Sequence, residues 1–291
     1  MTRRTLLGGL AAAAFAKSPI RLHTGNYGLQ SIAVDEALAT VRRIGYDGFG
    51  LCAILGWPSE PKMLAESDRR RIRESGFPIP TILDSYNLLA SDAAHRSALD
   101  RLRAAAELAH DVAPGNPPLV QTVLGGATSD WPAQRDRMAV RLEEWGRVAA
   151  ANRIRLAVKA HAMQAADTPG KLVWLLDKVK HPAITAIYDY GHFQLAGLGI
   201  EETMRQLLPR SAFLTVKDSK LVEGKPRFLL PGDGTVDYGQ YFKTVRRMNW
   251  QGWVLVEITR QLQTQPGYDG LRAAERSYRH MAAALRNAGL R

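Results

Sequence analysis

From Ile20 onward, short apolar runs alternate with longer stretches in which apolar residues recur at three- and four-residue spacing. The first kind reads as buried strand, the second as amphipathic helix. Strands are predicted at residues 20–24, 49–53, 79–83, 119–124, 155–161, 184–189, 212–217 and 253–258. Helices are predicted at 34–44, 62–75, 93–112, 133–151, 168–179, 200–208, 238–248 and 270–287, and a Gly/Pro-rich loop at 223–237. Strands that alternate with helices argue for parallel βαβ units. Eight such units without a break in composition have the size of one (β/α)8 barrel. The expected fold class is therefore α/β, a single-domain (β/α)8 TIM barrel. A doubly wound open sheet is the alternative, but no strand leads into a dinucleotide-type glycine turn, and Gly125-Gly126 alone does not make one.

The first sixteen residues stand apart. Arg3 and Arg4 precede an apolar run without acids, which ends in the small-residue pattern Ala14-Phe-Ala16. That is the order of zones in a secretory signal, and adjacent arginines before a Gly-containing apolar run resemble a twin-arginine signal. Residues 1–16 are expected to be a signal and 17–291 the barrel, in the periplasm or secreted. No later stretch approaches the ~18 apolar residues of a membrane span, so no membrane association is expected once the signal is removed. With Cys52 as the only cysteine, there is no intrachain disulfide framework.

The formal charge is +11, or 11 − 2 = +9 without Arg3 and Arg4. A basic balance can attract nucleic acid. Here the basic residues are spread along helices (Arg69–Arg71, Arg246, Arg247, Arg276) with no run interleaved with stacking aromatics, so nucleic acid is not an expected partner. A small carbohydrate is expected instead, and self-association into a homo-oligomer stays open.

A barrel gathers its functional groups at the C-terminal ends of its strands. Four ends carry polar groups: Lys159 and His161 on the fifth strand, Asp189 with His192 just beyond on the sixth, Thr215 with Lys217-Asp218 on the seventh, and Glu257 on the eighth. A converging Lys, Asp and Glu is notable because buried charge is costly unless paired or functional.

In Ile44-Gly-Tyr-Asp-Gly48, Asp189-Tyr-Gly-His192, Val216-Lys-Asp218, Pro231-Gly-Asp-Gly-Thr-Val-Asp237 and Trp250-Gln-Gly-Trp-Val-Leu-Val-Glu257, the chain resembles the sugar phosphate isomerase/epimerase superfamily, the xylose isomerase-like TIM barrels. The resemblance covers most of residues 20–290. It implies a divalent metal held by a Glu ending strand five, an Asp ending strand six, a His on strand seven and a Glu ending strand eight. Asp189 and Glu257 match, but Lys159 stands at the Glu position and Thr215 at the His position. Two carboxylates beside an ammonium make a poor cage for a hard cation.

No cofactor is expected. Mn, Mg or Zn held by Asp189 and Glu257 is the alternative. Lys159, Asp189 and Glu257 are the candidate catalytic residues, with the Lys159 ammonium where the metal would be, bridging the carboxylates and stabilising an enolate-like oxygen. Lys159 as Schiff-base nucleophile is a variant, less compatible with two carboxylates that favour its charged form. A degenerate site with a structural salt bridge is the bland alternative. By the resemblance, His192 would bond a sugar hydroxyl; His161, Lys217, Arg227 and His23 are further candidates for contact with substrate. Tyr27 is a candidate pocket wall, and Trp57, Trp131 and Trp253 are candidates for stacking on a sugar face. The expected activity is isomerase, epimerase or lyase chemistry beside the carbonyl of a sugar or keto-sugar. The alternatives are a carbohydrate-binding barrel without catalysis and an endonuclease-like multi-metal enzyme, the latter short of ligands.

Overall fold

The computed structural model describes residues 19–291, so the expected signal and its boundary at residue 16 lie outside the described residues. Eight parallel strands close into a barrel: β1 (Ile20–Gly25), β2 (Gly48–Cys52), β3 (Thr81–Leu83), β4 (Leu119–Val123), β5 (Leu156–Lys159), β6 (Ile184–Asp189), β7 (Ser211–Val216) and β10 (Gly252–Val256). β1 pairs with β10 to complete the ring. The open-sheet alternative is thereby excluded.

Strands such as β2 and β10 are nearly continuous in apolar residues because both faces are covered, whereas β1 and β4 carry polar residues inside. One face meets the ring of helices, including α1 (Val34–Ile44), α3 (Asp92–Val112), α4 (Trp131–Ala151) and α10 (Gly270–Asn287). The other fills the barrel: Ala157, Ile187, Phe213 and Leu255 form a separate apolar cluster, with Leu119, Ala212 and Trp253 packed against it. The period-two alternation that places Phe213 inside also turns Thr215 inward. The same rule turns Asp189 inward after Ile187, and Glu257 after Leu255. An apolar plug thus floors a polar mouth.

Helix ends follow their sequences. Ser91 caps α3 by accepting from Ala94 N, and Asp269 caps α10 through Arg272 N. Gly45 ends α1 in the left-handed conformation at φ 112°, where a side chain would also strike Tyr278. Among the described residues no helix is long and apolar enough to cross a membrane.

One element departs from expectation. The stretch read as a loop from residue 223 contains β9 (Lys225–Leu229), which pairs antiparallel with β8 (Asp218–Val222). Glu223 and Gly224 form the two-residue turn, both at positive φ (50° and 72°), the geometry of a type I′ hairpin. This hairpin leaves the barrel directly after β7 and folds over its C-terminal mouth.

Candidate active site

The ends of β5, β6, β7 and β10 bring four charged side chains into one cluster. Lys159 Nζ donates to Asp189 Oδ2 at 3.1 Å and to Glu257 Oε2 at 2.7 Å. Lys217 Nζ donates to the same Asp189 Oδ2 in a very close contact, and to Glu257 Oε1 at 3.3 Å. Each carboxylate therefore faces both ammoniums, and the four formal charges cancel. Lys217 and Asp189 are wholly buried, Lys159 is 5% exposed and Glu257 11%. The side chains that look out of the cluster are thus Glu257 and, less so, Lys159.

Burial alone would raise both carboxyls, but the neighbouring ammoniums prevail and hold Asp189 well below the usual carboxylate range and Glu257 below it. Burial alone would lower Lys159, and Glu257 with Asp189 outweigh it and hold the amine above its ordinary value. At neutral pH Asp189 and Glu257 are therefore carboxylates and Lys159 is an ammonium. That protonation state disfavours Lys159 as a free-amine nucleophile.

The histidines divide. His161 and His192 lie ring against ring, 3.9 Å between centroids, beside the cluster. His192 Nε2 is 3.3 Å from Asp189 Oδ2, outside good hydrogen-bond geometry, and both its ring nitrogens are buried without a hydrogen-bond partner. Burial followed by the Lys217 charge pushes His192 well down, and burial followed by Lys159 and Lys217 lowers His161 to about 4, so both are neutral at pH 7. His23 sits deeper, wholly buried in the barrel interior and edge-on to Trp253 at 5.6 Å and Phe213 at 6.3 Å. Burial lowers it to about 3.

The hairpin covers the mouth with Phe228, whose ring lies 5.1 Å from His192, 6.1 Å from His161 and 5.3 Å from Lys217 Nζ. Arg227, the neighbour of Phe228 on β9, is exposed on the solvent side of the hairpin. Asp218 anchors the hairpin's base by accepting from Gly232 N at 2.6 Å and Val236 N at 2.9 Å. A cleft of about 240 Å³ runs between the hairpin and the loop after β5 and reaches His192. Trp57 is buried against Tyr27, Trp131 packs on Trp174 of the helical ring, and Trp253 lies under Arg21.

The structure therefore gathers Lys159, Asp189, Glu257, Lys217, His161 and His192, and leaves His23 and Arg227 apart from them. Sequence reasoning did not give Phe228 a place at the site, nor Thr81 and Gln121, which line the barrel interior beside Glu257. The Glu223-Gly224 turn signal would have found the first, and strand alternation the other two.

The donor set does not fit a divalent cation. Two ammoniums occupy the space between the carboxylates, and a cation there would be repelled by both. Thr215, at the position of the expected imidazole, offers a buried hydroxyl without a partner. Among the described residues no group of three or more His, Cys, Asp or Glu could hold a metal ion.

Residues 38–288 match the family described as xylose isomerase-like TIM barrel. An inosose dehydratase from Clostridium botulinum is 24% identical over 131 residues, 40% of this chain and 44% of that protein, so the chain spans less than half the length of the curated relatives it matches. Among solved structures, the 3-keto-D-glucoside 4-epimerase from E. coli superposes with a TM-score of 0.73 at 16% identity, covering 91% of this chain and 99% of that one. The IOLI protein, solved with a bound zinc atom, superposes with a TM-score of 0.73 at 14% identity, covering 92% and 98%. At these identities the likeness is one of fold.

Proposed function

The chain belongs to the xylose isomerase-like TIM barrel family, and on that premise we propose that it is an enzyme moving a proton beside the carbonyl of a sugar or keto-sugar, with lysine ammoniums supplying the positive charge. The observation that carries this reading is the Lys159 ammonium held between Asp189 and Glu257. Glu257, ionised and the most exposed of the four, takes the proton from the carbon next to the carbonyl. The electron pair passes to the carbonyl oxygen, and the resulting enediolate is held by Lys159, which Asp189 and Lys217 fix in place. Return of the proton by Glu257 to the neighbouring carbon gives an isomer, and delivery of a solvent proton to the opposite face, with Glu257 giving its own proton up to solvent, gives an epimer. Expulsion of a β-hydroxyl gives a lyase product, the type of reaction that the name of the dehydratase relative describes.

The internal charge balance of the cluster favours one second reading, a barrel that binds carbohydrate without turning it over. The deciding assay is turnover of a keto-sugar panel by purified protein, with and without a chelator. The expected result is turnover insensitive to chelation and lost in both Lys159→Ala and Glu257→Gln. Saturable binding with no turnover supports the second reading. One equivalent of Mn, Mg or Zn whose affinity falls in Asp189→Ala refutes the lysine-for-metal arrangement. Borohydride trapping at Lys159 would refute its purely electrostatic role.

A further inference from the structure

The four charged groups of the site are shut in. Lys217 and Asp189 have no exposed side-chain surface, and Lys159 and Glu257 have little. The cleft between the hairpin and the loop after β5 is lined by His192 but by none of the four. The space beside Glu257 on the other side holds about 20 Å³, room for about one water. A sugar-sized ligand therefore cannot touch Lys159 and Glu257 together while the hairpin lies where it does.

The hairpin is fixed at its base and lightly held beyond it. Asp218 accepts from Gly232 N and Val236 N, and Ser219 Oγ donates to Gly191 O at 2.5 Å. Farther out, among the described residues, the hydrogen bonds that tie residues 220–229 to the rest of the chain are two, both to Gln261. No ion pair involves Lys220, Glu223, Lys225 or Arg227 among the described residues, and Leu221 and Val222 stand exposed at the tip. A lone two-stranded ribbon is marginally stable in place, and segments with so few ties are the ones that open locally.

The Gln261 contact has the form of strand pairing. Val222 and Lys225 flank the two-residue turn and form the hydrogen-bonded pair next to it, so alternate residues of β9 turn their backbone groups away from β8. Pro226 and Phe228 are two of these. Gln261 Nε2 donates to Pro226 O at 3.2 Å, and Gln261 Oε1 accepts from Phe228 N at 3.0 Å. One side-chain amide thus takes the place of a residue from a neighbouring strand, on an edge that would otherwise be open. It comes from the short helical turn Arg260–Gln263 that follows β10. The bond to its amide holds Phe228 in register, with its ring over Lys217 and against His192.

We propose that the β8–β9 hairpin is the gate of this site and Gln261 its latch: a ligand reaches Lys159 and Glu257 only when Gln261 releases Pro226 and Phe228 and the Phe228 ring lifts from Lys217. Gln261 is a positioning residue, acting through Phe228 without touching the ligand. The gate goes beyond the proton-transfer reading and does not depend on it. Any ligand of the charged cluster must pass the same hairpin, and one that has passed is sealed from water when the ring returns.

The test measures how fast acetic anhydride labels Lys217 in the full chain, read by peptide mass mapping, with the exposed Lys243 as internal standard. Gln261→Ala removes both bonds and should speed labelling of Lys217 about tenfold. Gln261→Glu still accepts from Phe228 N but no longer donates to Pro226 O, and should fall between the two. Labelling of Lys217 should be nearly flat in urea below the unfolding transition, because swinging a hairpin exposes little surface, whereas global unfolding depends on urea steeply. Equal Lys217 rates in wild type and Gln261→Ala would overturn the latch. Gln261→Glu as fast as Gln261→Ala would do the same. Labelling with the full urea dependence of unfolding would overturn the gate. None of these readouts requires turnover, so failure of the gate leaves the proposed function standing, and a protein that turns over no sugar still tests the gate.

Discussion

Replacing Lys159 with Met removes one cation from a buried cluster whose charges otherwise cancel, leaving Asp189 and Glu257 to share Lys217. Breaking a buried ion pair from one side costs about 3–5 kcal/mol because the abandoned charge stays desolvated. Lys217 still bonds both carboxylates, and Glu257 is partly exposed, so the lower end applies, ~3 kcal/mol. In a domain of this size ~1 kcal/mol moves the melting temperature by about 2–4 °C, so Lys159→Met should melt roughly 6–12 °C below the wild type. Glu257→Gln in the same chain restores neutrality. The double variant should therefore lose less than the sum of the single losses, by ~1 kcal/mol or more. Thermal unfolding followed by circular dichroism on the four proteins of the cycle measures this directly. A Lys159→Met melting point within ~1 °C of wild type, or strictly additive losses, would refute the view of the four groups as one electrostatic unit.

Acid sensitivity should come from the buried histidines. His23 and His161 are lowered to about 3 and about 4 and His192 lies well below 6.5, so the unfolded chain binds protons that the folded one refuses. Their contribution is complete above pH ~6.5 and falls with pH toward ~4, by up to ~1.4 kcal/mol per unit for each histidine. Urea midpoints should drop steeply across that window, and a flat profile would contradict it. Lys159 works in the opposite sense: its raised value leaves its contribution intact below pH ~10.5, to be lost as pH climbs through the folded value. Phe228→Ala should uncover Lys217, so that acetic anhydride followed by peptide mass mapping finds that lysine modified in the variant and protected in the wild type; equal protection would show that the hairpin ring is not its cover.

Much of this arrangement is legible in the residues because the barrel follows from periodicity. Residues 184–189 were expected as a strand and form β6 with those bounds, since a fully buried strand announces itself as an apolar run that stops at a charge. The hairpin was missed because Gly224 and Pro226 read as loop punctuation. Yet Val222 and Lys225 flank a two-residue Glu-Gly turn, with Leu221 on one arm and Phe228-Leu229 farther along the other, and Pro226 is tolerated on a ribbon with no third strand. That miss drew attention to Arg227, when alternation across the ribbon sends Phe228 to the barrel and Arg227 to solvent. Lys217 was placed with the substrate contacts as part of a Lys-Asp motif. Its position two residues beyond Thr215 and four beyond Phe213 already put it on the inward face. What no local pattern carries is that two lysines from different strands reach the same oxygen atom, because that depends on barrel closure.

Charge arithmetic explains why the two departures from the resembled pattern belong together. Three carboxylates around a divalent cation, with the lysine of the shared Val216-Lys-Asp218 stretch, sum to −3 + 2 + 1 = 0. Here Lys159 replaces one carboxylate, and Asp189 and Glu257 face Lys159 and Lys217, which sums to −2 + 2 = 0. A cation's usual contribution, neutralising carboxylates that would otherwise repel one another, is already made by groups tethered to the chain. With that neutralisation internal, no further basic group is needed at residue 215, where Thr215 is wholly buried. The tethered charge differs from a metal in one respect that bears on chemistry. An ammonium donates along three N–H directions and cannot widen its coordination, so Lys159, with two donors spent on Asp189 and Glu257, has one left for a ligand oxygen. A single remaining donor suits one developing oxyanion.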